Sequence, residues 1–153
     1  MKKPKILLVD DETYILASLR RQLHKFGVEV FTAEDGAEGL ELLSRRGPFA
    51  VVVSDYQMPG MDGVVFLSHA AEISPESVRV ILTGKADLQV ALQAVNVGNI
   101  YKFLIKPVSP DQFLASIQAC LDQYALVTTN RQLLEDLHLM QRIDQELNRN
   151  LNS

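Results

Sequence analysis

Cysteine is all but missing from this chain of 153 residues. Cys120 stands alone, so no intrachain disulfide framework can form, and a reducing, cytoplasmic setting is expected. Positive charge is also scarce: 15 Lys and Arg against 19 Asp and Glu leave a formal net charge of -4. That balance argues against nucleic acid or an anionic membrane as a direct partner of this segment, and for a protein or a small ligand. No apolar run approaches the length of a membrane span, and the one that opens the chain, Ile6 to Val9, is too short for the core of a signal peptide. His24, His69 and His138 are scattered singly and share no ligand spacing, so surface roles are expected of them rather than metal binding or phosphotransfer. Gly and Pro are absent from Asp111 to Ser153, so nothing local stops a helix begun at Pro110-Asp111. Such a helix would run roughly 60 Å, about twice a small domain's diameter, and its end would leave the domain.

What is present is organised around Val51-Val52-Val53-Ser54-Asp55, a β-branched run that ends in a carboxylate before the turn at Pro59-Gly60. Its lack of alternation fits a strand buried on both faces of a parallel sheet. Asp62 is then placed to cap a helix carrying Val64, Phe66 and Leu67. Ile6 to Val9 form a similar strand, ending in Asp10-Asp11-Glu12. Helical spacing follows through Ile15, Leu16, Leu19, Leu23 and Phe26, up to Gly27. A short strand over Val28 to Ala33 leads to a helix from Asp35-Gly36 to Gly47-Pro48. Val78 to Leu82 form a fourth strand, ending in Thr83-Gly84, and Asp87 is expected to cap a helix running through Val95 to Gly98. Ile100 to Ile105 form a fifth strand, ending in Lys106-Pro107. Strict strand and helix alternation predicts an α/β fold with a doubly wound, five-stranded parallel sheet, because parallel neighbours need right-handed crossovers.

In the flavodoxin-like strand order 2-1-3-4-5, the first and third strands meet where the winding reverses, and the crevice there collects Asp10, Asp11 and Asp55. Three carboxylates in one crevice repel one another, and a hard divalent cation such as Mg²⁺ relieves them through oxygen ligands. Lys106 adds fixed positive charge and Thr83 a hydroxyl. Nucleophilic carboxylate, cation, ammonium and hydroxyl together match the needs of a phosphoryl group in transfer, with Asp55 as its acceptor.

With these motifs in order, residues 5 to about 124 resemble the receiver domain of bacterial two-component response regulators, the CheY-like family. The resemblance rests on Asp10-Asp11, on Asp55 with Met58-Pro59-Gly60-Met61-Asp62-Gly63, on Leu82-Thr83-Gly84 and on Lys106-Pro107. It implies that Asp55 takes a phosphoryl group from a sensor histidine kinase. It further implies that Asp11, Asp55 and the backbone carbonyl of Gln57 bind Mg²⁺, with Asp10 acting through water. Lys106 and Thr83 would hold the phosphoryl oxygens, and Phe103 would be the aromatic switch residue. Two rival functions stand beside this one. A Mg²⁺-dependent phosphatase working through an aspartyl phosphate wants a second Asp two residues after the nucleophile, where this chain has Gln57. A degenerate receiver would only mediate protein contacts, and the retained acidic, Thr and Lys set speaks against it.

Residues 1–124 are thus expected to form the phosphoacceptor domain, and 125–153 a helical extension linking it to an effector outside this chain. Gly98-Asn99-Ile100-Tyr101-Lys102-Phe103-Leu104 looks like receivers fused to HD-type phosphodiesterases or to hydrogenase-type transcription regulators. In the extension Leu126, Leu133, Met140 and Leu147 recur every seven residues, with Asn130, Leu137, Asp144 and Leu151 four later. This heptad predicts a weak parallel coiled coil and hence a homodimer. The competing expectation is a helix folded back on its own domain through Leu134, Leu139 and Ile143.

Overall fold

Five short parallel strands form the centre of the molecule, in a computed structural model that describes residues 2–93 and 100–152. They are β1 (Lys5–Val9), β2 (Glu29–Ala33), β3 (Val51–Asp55), β4 (Val78–Thr83) and β5 (Lys102–Ile105), in the order β2-β1-β3-β4-β5. The sheet is the doubly wound one expected from the alternation. Leu7 pairs with Val52 and Val9 with Ser54, so β1 and β3 run side by side to their carboxyl ends. Every residue of β3 is buried, which is why its sequence shows no polar alternation.

Helices cover both faces. Ile6 and Leu8 point into one core with Leu16 and Leu19 of α1 (Thr13–Leu23) and with Phe113 and Ile117. Leu7 and Val9 point into the other, with Leu43 of α2 (Gly36–Arg46) and Phe66 and Leu67 of α3 (Gly63–Ile73). Each of these three helices has 11 residues, too short to be stable alone. Burial of their large apolar side chains, about 1.5–3 kcal/mol each, holds them to the sheet.

Asp35 and Asp62 cap α2 and α3 as expected, their side chains accepting from Glu38 N at 2.8 Å and Val65 N at 2.9 Å. Several boundaries differ from the sequence reading. The first helix ends at Leu23, and the chain turns to Gly27, whose φ of 78° is the left-handed conformation that glycine tolerates. Asp87 is not a free cap: it closes a 3₁₀ turn, Lys85–Asp87, by donating its N–H to the Gly84 carbonyl, and α4 (Leu88–Gln93) follows directly. The expected continuation to Val95 and Gly98 lies outside the described residues. β5 begins at Lys102 rather than Ile100.

The last helix, α5, runs without interruption over 42 residues, Pro110–Leu151, with Ser109 as its cap and Pro110 in its first turn. The boundary expected at 124 therefore falls inside a continuous helix. Leu134, Leu139 and Ile143 are 50 to 56 % exposed, so the helix does not fold back on its domain. Arg131 instead pairs with Glu76 at the turn before β4, and from there every described residue of α5 is exposed.

Candidate functional site

The carboxyl edge of the sheet gathers the side chains that end the strands. Asp10 still belongs to the ladder, donating its N–H to the Ala33 carbonyl at 3.1 Å, so its side chain is drawn inside. It is 1 % exposed, while Asp11, the next residue, faces solvent. Asp10 Oδ1 accepts from the Glu12 backbone N–H at 2.9 Å. Its Oδ2 is buried without a hydrogen-bond partner, with Lys106 Nζ 3.5 Å away. Asp55 closes β3, and its Oδ1 lies 2.6 Å from Lys106 Nζ, a charge-assisted hydrogen bond. One cation thus reaches two carboxylates.

Burial pushes the Asp10 carboxyl up from its ordinary value of 3.8 to about 6; the charges of Asp55 and Asp11 add to this, while the Glu12 N–H and Lys106 oppose it. Burial likewise raises Asp55, against the hydrogen bond and charge of Lys106. For Lys106 burial acts downward but is outweighed by the hydrogen bond to Asp55 and the charges of Asp10 and Asp55, so its ammonium is held more firmly charged than usual.

Asp11, Asp55, Gln57, Thr83 and Lys106 line an open cleft of about 670 Å³. Asp10 does not line it. Thr83 is buried, and its hydroxyl donates to the Gly84 carbonyl at 3.2 Å. Phe103 is also outside the cleft: it is half-buried, registers with Ile81 across β4 and β5, and packs against the α2/α3 core. The cleft adds Glu12, Met58, Asp62 and Asp87, to which the sequence reading gave no site role. Gly63, which the sequence shows only as the last residue of the Met58–Gly63 motif, contributes by a close approach: a Cβ there would clash with the Asp55 carbonyl oxygen. Only a glycine lets α3 start against the backbone of Asp55.

Carboxylate oxygens of Asp10, Asp11 and Asp55 lie within 4.8 Å of one another, and a single ammonium cannot neutralise three of them. An all-oxygen donor set, with one buried oxygen that has no hydrogen bond and only a distant ion pair to Lys106, fits a hard divalent ion such as Mg²⁺.

Known proteins resemble this chain in sequence and in fold. A family model described as the response regulator receiver domain matches residues 6–118. The hydrogenase transcriptional regulatory protein HoxA of Cupriavidus necator is 35% identical over 126 residues, which is 82% of this chain and 26% of that protein. The chain therefore spans about a quarter of that curated relative's length. Among solved structures, an adenylate cyclase from Rhodopirellula baltica superposes with a TM-score of 0.82 at 43% identity, over 87% of this chain and 98% of that one. The signal receiver domain of an HD domain-containing protein from Pseudomonas fluorescens Pf-5 gives 0.76 at 31% identity, over 81% and 98%. The two solved structures share its fold, and the residues of its acidic edge, Asp10, Asp11 and Asp55, fall within the stretch that the family model matches. By that match and by its strand order, the chain belongs to the family of response regulator receiver domains.

Proposed function

We propose that this receiver accepts a phosphoryl group on Asp55 from a phosphohistidine of a sensor histidine kinase, and that the acyl phosphate shifts its conformation to control an output domain or protein. The observation that carries this reading is the Asp55 carboxylate itself. It ends the central strand in the cleft, with Lys106 Nζ 2.6 Å from Oδ1 and the carboxylates of Asp10 and Asp11 beside it. An Asp55 oxygen attacks phosphorus in line with the departing imidazole nitrogen; the O–P bond forms as the N–P bond breaks, and imidazole keeps the electron pair.

Lys106 places positive charge beside the oxygens of the incoming group. Asp11, Asp55 and the Gln57 backbone carbonyl would hold Mg²⁺, with Asp10 acting through water. When bound, the ion supplies further positive charge to the phosphoryl oxygens. The Thr83 hydroxyl is engaged locally with Gly84 and turns inward only when an anionic oxygen offers a better acceptor. That movement, and the space it opens beside Ile81, is the route by which a half-buried Phe103 would change its packing. Gln57 supports a phosphoacceptor rather than a turnover phosphatase, because a carboxamide cannot shuttle a proton.

Asp55→Asn keeps the shape and removes the nucleophile. After incubation with acetyl phosphate and Mg²⁺, the intact wild-type protein should gain the mass of a single phosphoryl group and the variant none. Equal gains in both would overturn the assignment.

A further inference from the structure

Helix α5 carries two apolar stripes that do not coincide. The first, through Phe113, Ile117, Cys120 and Tyr124, packs on the sheet face that holds Ile6 and Leu8, and its line continues to the Arg131–Glu76 ion pair. The second starts at Leu126 and follows the heptad. At about 100° of rotation per residue, the two lie roughly 100–140° apart around the helix near residue 126. Packing on the domain therefore leaves the second stripe bare from its first residue. Leu126, Leu133, Leu137, Met140, Leu147 and Leu151 are 50 to 82 % exposed.

We propose that this second stripe is the seam of a parallel, two-stranded coiled coil with a second copy of this chain. A spacing of alternately three and four residues fits a helix wound around it, not a flat surface. The seam also matches itself. In a parallel pair each layer faces its own counterpart, so the apolar layers meet apolar ones and Asn130 meets Asn130, where the two carboxamides bond to each other. An antiparallel pairing centred on the same seam sets Asn130 against Leu147 and Asp144 against Leu133, leaving two polar groups of each chain against leucine.

Six half-exposed apolar side chains from each copy would cover roughly 1,000–1,300 Å² in total, the low end of specific interfaces. Asp144 facing its own counterpart weakens one layer further. The dimer is therefore reversible, with a dissociation constant on the order of micromolar. Because the stripes are offset, a second helix reaches Leu126 without displacing Phe113 or the Arg131–Glu76 pair, and each receiver stays packed on its own helix. None of this depends on phosphorylation of Asp55.

Sedimentation of the full chain over a range of concentrations tests the proposal. A reversible dimer is expected, weakened roughly tenfold or more by Leu133→Lys and tightened roughly tenfold by Asp144→Leu. Both sites are exposed, so neither change disturbs the receiver core. Under mild oxidation Leu147→Cys should yield a covalent dimer, since residue 147 faces its counterpart only in the parallel arrangement. A chain that stays monomeric throughout, or a dimer indifferent to Leu133→Lys, would overturn the seam; a Leu147→Cys dimer that resists cross-linking would overturn the parallel arrangement.

Discussion

Asp10 and Asp11 show what a residue's neighbours add to its spelling. The sequence reading placed both carboxylates at the end of the first strand and assigned Asp10 to act through water. It had no way to tell which was buried, because that depends on the last ladder hydrogen bond, from Asp10 N to Ala33 O. The consequence is a titration. Folded protein holds the Asp10 proton up to about pH 6, the unfolded chain only to about 3.8. The Asp10 contribution to metal-free stability is thus present in full below pH 3.8 and is lost as pH rises through about 6. Mg²⁺ competes with that proton, so it should raise the melting temperature more at neutral pH than near pH 5. Asp10→Asn, whose carboxamide oxygen can still accept from Glu12, should stabilise the metal-free protein at neutral pH by on the order of 1–2 kcal/mol and flatten its pH dependence. Thermal melts across pH with and without Mg²⁺ would show this. A metal-induced shift that is the same at both pH values, or an unstable Asp10→Asn, would contradict it.

At the scale of the element, strands were the most legible because their ends carry the chemistry and their interiors carry unbroken apolar runs. The run read in β4 nevertheless contains Arg79, which is buried in the sheet. Its guanidinium donates to the Ser77 carbonyl at 2.9 Å and to the Ser74 carbonyl at 3.3 Å, so backbone acceptors in the turn just before β4, which an apolar pattern does not reveal, make it compatible with a buried strand. Helix starts were legible at Asp35 and Asp62, where a carboxylate stands just before the first turn. Ser109 went unread, although its hydroxyl caps α5 at 3.1 Å and Ser-Pro-Asp is a usable start signal. Gly63 could not be recognised from spacing, because its role is a close approach between two elements. Gly63→Ala should cost more than about 2 kcal/mol in urea unfolding, since the clash is with the rigid backbone of Asp55. It should also slow phosphorylation by acetyl phosphate, because the strain falls on Asp55. A variant as stable and as reactive as wild type would remove Gly63 from the site.

For the whole molecule, alternation and the handedness of crossovers pointed to a doubly wound parallel sheet, its order 2-1-3-4-5 leaned on the receiver resemblance as well, and the reach of α5 came from its lack of Gly and Pro. That it leaves was expected from its length, but where it leaves and that it does not fold back came from contacts: the Arg131–Glu76 pair marks the point, and the leucines beyond it are exposed. Output and partner kinase were not legible, since no motif in these residues names either. The cleft does reside in them, and a single acyl phosphate on Asp55 is what its geometry is proposed to hold. After phosphorylation with acetyl phosphate and Mg²⁺, borohydride reduces an aspartyl phosphate to homoserine, which peptide mass mapping locates. Homoserine at position 55 alone is the predicted result; homoserine at Asp10 or Asp11, or at none of the three, would contradict the account.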